Sequence, residues 1–94
     1  MSRESAIAAV LAEFDSGAFA ETLARRIAIP TESQTPDRAG DLVTYLRDEM
    51  IPAFEAMGFS TRILEHPAAK APFLFAERIE GENLPTILGY GHGD

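Results

Sequence analysis

Apolar positions in the first third of the chain recur at helical intervals. Ile7, Val10, Leu11 and Phe14 fall at i, i+3, i+4 and i+7, which predicts a short amphipathic helix. Asp15 and Ser16 are good N-cap types and Gly17 loosens the junction. Phe19, Leu23 and Ile27 then continue at i+4 spacing, predicting a second helix that Pro30 ends. The stretch Ile29-Pro30-Thr31-Glu32-Ser33-Gln34-Thr35-Pro36 is polar and holds two prolines, so it reads as an ordered loop too short to separate domains. Thr35 can cap, and Pro36 can take the first position, of a long third helix marked by Leu42, Val43, Leu46, Met50, Phe54 and Met57 and stopped by Gly58. Pro52 lies inside that pattern without an amide hydrogen, so a kink or break is expected near Asp48 to Ile51.

The period changes after Gly58. Phe59, Thr61 and Ile63 alternate with Ser60, Arg62 and Leu64, a repeat of two that predicts a strand with two different faces. A small-residue loop, Pro67 to Pro72, leads to a second strand over Phe73 to Ile79, and a hairpin is the simplest connection. After the polar turn Glu80-Gly81-Glu82-Asn83, the segment Thr86-Ile87-Leu88-Gly89-Tyr90 is apolar on both faces, which predicts a central third strand covered on each side. The expected fold class is therefore α/β, three helices followed by three strands. No internal repeat, low-complexity tract or block of like charge interrupts it.

Composition narrows what this fold can do. Ninety-four residues with 46% hydrophobic and 24% charged side chains predict one small globular domain with a single modest core. Fifteen acidic residues against 8 basic ones give a net charge of -7, which argues against a nucleic-acid partner, since phosphate backbones select for Lys and Arg clusters. There is no cysteine, so disulfides and thiolate metal sites are excluded and any metal would rest on His and carboxylate ligands. No run of about 18 apolar residues is present and the amino terminus lacks a leader pattern, so no membrane association and a cytoplasmic location are expected.

The chemistry is concentrated in Gly91-His92-Gly93-Asp94, directly after the predicted third strand. Open α/β sheets place ligands at the carboxyl ends of their strands. A His followed two residues later by Asp can offer an imidazole to a metal while the carboxylate fixes the ring and raises its basicity. Flanking glycines allow a sharp turn and leave room for a ligand. An isolated His-Gly-Asp more often serves only as a hydrogen-bonded turn, and spacing alone does not decide between the two.

An apolar strand followed by Gly91, His92, any residue and Asp94 resembles the first signature of the co-catalytic zinc peptidase family that contains aminoacylase, acetylornithine deacetylase, succinyl-diaminopimelate desuccinylase and the glutamate carboxypeptidases. The upstream order, with an Ile29-Pro30-Thr31-Glu32-Ser33 loop and a long helix ending at Met57-Gly58-Phe59, is similar to that family's opening over essentially all 94 residues. The resemblance implies a metal role for His92 as ligand to one zinc of a pair. It implies a catalytic-site role for Asp94, which would orient that imidazole. It further implies hydrolysis of an amide bond in a peptide or N-acyl amino acid substrate. A bridging Asp, an adjacent Glu pair, a further acidic ligand and a distant His are not found here. The resemblance accordingly implies that the chain is the amino-terminal part of a mixed-sheet α/β zinc-peptidase catalytic domain, cut within its His-x-Asp motif, with no second domain, weak or no zinc retention and no activity alone.

Other features carry less. Gly89-x-Gly91-x-Gly93 lacks the third glycine of a dinucleotide loop, because position 94 is Asp. Gly91-His92-Gly93 is similar to an esterase oxyanion loop, yet no Gly-x-Ser-x-Gly elbow accompanies it. His66 reads as an exposed loop residue, and Glu77, Glu80 and Glu82 as a solvated turn that could hold an adventitious cation. Helix termination suffices to explain the Thr31-Glu32-Ser33 loop, which could also form part of an active-site rim. The alternative function is a complete small α/β interaction domain without catalysis. A two-sided apolar strand requires cover that three helices on one side do not give, so exposed sheet edges are expected to drive self-association.

Overall fold

Two helices, α1 (Arg3–Asp15) and α2 (Ala18–Ile27), open the computed structural model, which describes residues 1–94. A reciprocal cap starts α1: the Ser2 hydroxyl accepts from the Ser5 amide at 3.1 Å, and the Ser5 hydroxyl accepts from the Ser2 amide at 3.0 Å. Gly17, rather than Asp15 or Ser16, takes the N-cap position of α2, and the Ser16 hydroxyl accepts from the Ala18 amide at 3.3 Å. The apolar face of α1 is exposed, with Val10 and Phe14 lying open to solvent.

The third helical run begins as a single 3-10 turn, Pro36–Arg38, and continues as α3 (Ala39–Thr44). A π-helical segment, Tyr45–Met50, follows, and then α4 (Ile51–Ala56). The irregularity expected near Asp48 to Ile51 is thus a widened turn and not a break. An α-turn there would need a Pro52 amide that does not exist and would press the proline ring on the Asp48 carbonyl, and a π-turn relieves both. Gly58 ends α4 at φ 85°, with its amide donating to the Glu55 carbonyl at 3.0 Å and the Phe59 amide donating to the Phe54 carbonyl at 3.1 Å. That pair of bonds closes a helix through one left-handed residue, which glycine adopts without steric cost.

Strands β1 (Ser60–Leu64) and β2 (Phe73–Glu77) pair antiparallel with Ser60 opposite Glu77 and Leu64 opposite Phe73. Thr61, Ile63, Leu74 and Ala76 are half-buried on one face. On the other face Arg62 lies over the Phe75 ring, 5.2 Å from its centroid. The result is a small α/β fold of three helices and a two-stranded antiparallel sheet. β2 stops two residues short of the predicted Ile79.

Two expectations are corrected. The third strand over residues 86–90 does not form: the segment has no ladder partner, and Ile87 and Leu88 are 94% and 90% exposed. An apolar run becomes a strand only when it pairs with another backbone, and here the segment pairs with neither strand of the hairpin. The modest hydrophobic core is also absent. No apolar residue is buried, and the one buried residue is Glu49. The accessible surface is 7804 Å², against roughly 5,300 Å² for a compact chain of this mass. The radius of gyration is 15.8 Å, against about 12 Å for a compact chain of this length. The chain forms a slab 17 Å thick in which the apolar positions of α1 are exposed, while Leu42, Leu46, Phe54, Ile63 and Leu74 are half-buried. No helix is long and apolar enough to cross a membrane.

Candidate functional site

His92 and Asp94 meet as neighbours. Asp94 Oδ1 lies 2.9 Å from His92 Nδ1, and an ionised carboxylate can only accept, so the ring proton sits on Nδ1. That leaves Nε2 of the neutral ring with the lone pair. The Tyr90 hydroxyl donates to it at 2.6 Å, and the Tyr90 and His92 rings stand edge to face with centroids 5.3 Å apart. The motif is therefore a short line of hydrogen bonds: Tyr90 hydroxyl to imidazole to carboxylate.

The loop preceding the third helical run holds this line from the side. Thr31 donates its hydroxyl to the Gly93 carbonyl at 2.6 Å, and the Ser33 hydroxyl donates to Asp94 Oδ2. The Ser33 bond first, and then the His92 bond, hold the Asp94 carboxyl below its ordinary range, because both favour the charged form. Gly93 is required by close approach: a Cβ at that position would collide with the Tyr45 ring. Tyr45 is the first residue of the π-helical segment, so the irregularity that Pro52 imposes lies directly against the motif. Ser33, Tyr45 and the motif residues Tyr90 to Asp94 line a cleft of about 410 Å³ whose apolar wall includes Leu42, Leu46 and Phe73.

The other features singled out in the sequence lie elsewhere. His66 accepts the Ala68 amide on Nδ1 at 3.0 Å, a turn contact that puts its proton on Nε2. Glu80 pairs with Arg78 at 2.9 Å. Glu49, which the sequence reading did not single out, receives Arg25 at 2.8 Å and Arg26 at 3.4 Å across the α2 interface. Its signal was legible: Glu49 stands at i+7 from Leu42 and i+3 from Leu46, a charge on an otherwise apolar helix face.

The donor set does not meet the needs of a catalytic zinc. Such a site takes three protein ligands, and no three His, Asp or Glu side chains converge anywhere in the chain. His92 contributes one nitrogen, already engaged by Tyr90, and Asp94 is turned toward the imidazole and Ser33. What the arrangement does is fix one imidazole in a single tautomer with its acceptor nitrogen at the edge of an apolar cleft. A comparison with protein families, with curated proteins and with solved structures finds no match to this chain.

Proposed function

We propose that these residues supply the first ligand segment of a zinc-dependent hydrolase acting on the amide bond of a peptide or N-acyl amino acid, with His92 as metal ligand and Asp94 as the residue that orients it. The observation that carries the reading is the 2.9 Å contact between Asp94 Oδ1 and His92 Nδ1, which puts the lone pair on Nε2, the nitrogen a metal would take in place of the Tyr90 hydroxyl. The remaining ligands come from residues other than these 94, because three ligating side chains do not converge within them. Alone, the chain is inactive and holds zinc weakly. The resemblance of Gly91-His92-Gly93-Asp94 to the zinc peptidase signature supports the same class.

The test is hydrolysis of N-acetyl amino acids and dipeptides by the polypeptide as its cells make it, before and after chelation and zinc re-addition. Chelator-sensitive hydrolysis that His92→Ala abolishes supports the reading; hydrolysis indifferent to both treatments refutes it. The exposed segment at residues 86–90 favours a second reading, an interaction domain whose apolar surface is covered by another protein surface. On that reading no amide is cleaved under any metal condition.

A further inference from the structure

We propose that Ser33 and Thr31 are positioning residues for the His92–Asp94 pair, an inference that rests on the reading above and extends its site from two residues to four. A carboxylate bonded through one oxygen is free to turn about its Cβ–Cγ bond. Here each oxygen has its own partner: Oδ1 receives the His92 ring and Oδ2 receives the Ser33 hydroxyl, which together fix the plane of the group. Between the two motif residues, Thr31 fixes the backbone by donating to the Gly93 carbonyl at 2.6 Å. These contacts join segments 61 and 62 residues apart, so they are tertiary and not a local turn.

The loop that provides them is braced by its own backbone. The Thr31 amide donates to the Ile29 carbonyl at 2.8 Å, the Glu32 amide to the Pro30 carbonyl at 2.8 Å, and the Thr35 amide to the Glu32 carbonyl at 3.0 Å. Two hydroxyls two residues apart on such a loop can grip the motif at two points. Orienting partners of a ligating imidazole act through its tautomer, since whichever nitrogen donates to the carboxylate leaves the other to coordinate. Ser33 and Thr31 touch neither ring nitrogen. Their effect on His92 passes through Asp94 and Gly93.

The experiment reads the two ring nitrogens of His92 by 15N NMR on the polypeptide as its cells make it, stripped of metal by chelation, at a pH well above the ordinary imidazole range of about 6.5. His66, which holds the opposite tautomer through the Ala68 amide, serves as the internal reference. In the unsubstituted chain His92 is expected to show a protonated Nδ1 and a lone-pair Nε2 as two well-separated signals. Ser33→Ala should make them converge toward a tautomer mixture while His66 stays unchanged, and Ser33→Thr, which keeps the hydroxyl, should retain the separation. Thr31→Val keeps the side-chain shape, removes only its donor, and should give the same convergence; it is the deciding variant if Ser33→Ala disturbs the backbone spectrum. Unchanged His92 signals in both hydroxyl deletions would overturn the proposal, as would equal convergence in Ser33→Ala and Ser33→Thr. The readout needs neither zinc nor substrate, so its failure is separate from a failure to find hydrolysis.

Discussion

The Tyr90 hydroxyl stands 2.6 Å from His92 Nε2, on the one ring nitrogen that the Asp94 contact leaves with a lone pair. Any electrophile that takes this nitrogen must first displace the tyrosine. Tyr90→Phe removes the donor and keeps the ring. A net hydrogen bond of about 1 kcal/mol corresponds to a rise of roughly fivefold in the rate at which diethyl pyrocarbonate modifies His92. Mass spectrometry of the modified peptides checks this, with His66 as the residue whose rate stays constant.

Gly93 lies against the Tyr45 ring with no room for a Cβ. Gly93→Ala should push residues 91–94 off the Tyr45 ring and break the Thr31 bond, a local overpacking cost of about 1–3 kcal/mol. Tyr45→Ala removes the obstacle, so the double variant Tyr45→Ala, Gly93→Ala should recover the single His92 tautomer that Gly93→Ala alone loses. Additive behaviour of the two substitutions would show that they do not touch.

Glu49 makes stability depend on pH. Arg25 first, and Arg26 after it, hold its carboxyl below the ordinary glutamate value of 4.5, and Glu21 is the further charge acting on Arg25. A depressed folded-state value means that the contribution is fully present above pH 4.5 and is lost as the pH falls through the lowered value. Thermal melts of the unsubstituted chain should therefore fall in midpoint below that pH. In Glu49→Gln the midpoint should be lower at neutral pH and the acid-side fall smaller.

Exposed apolar surface predicts association. Ile87, Leu88 and Tyr90 stand open to solvent, and the hairpin has two free edges. Light scattering should give a mass that rises with concentration, and the double variant Ile87→Lys, Leu88→Glu should lower it toward the 10.2 kDa of one chain. A single-chain mass at high concentration in the unsubstituted protein would contradict this.

Local periodicity made the helices and the hairpin legible, because repeats at four and at two report which residues share a face. Pro52 located its irregularity for a covalent reason, the missing amide, although the sequence did not distinguish a break from a π-turn. The segment at residues 86–90 was misread because apolar composition states a need for cover and not its source. His92 and Asp94 were legible as a pair through their spacing. The Thr31-Glu32-Ser33 loop reads as a helix terminator that could also form part of an active-site rim; its bonds to Gly93 and Asp94 were not legible, since a contact across more than sixty residues leaves no local pattern.

The most direct measurement is the zinc content of the polypeptide as its cells make it, by plasma mass spectrometry, for the unsubstituted protein and for His92→Ala. Bound zinc in the first and its loss in the second is the result expected if His92 is a ligand. Zinc absent from both, or present equally in both, would contradict that role.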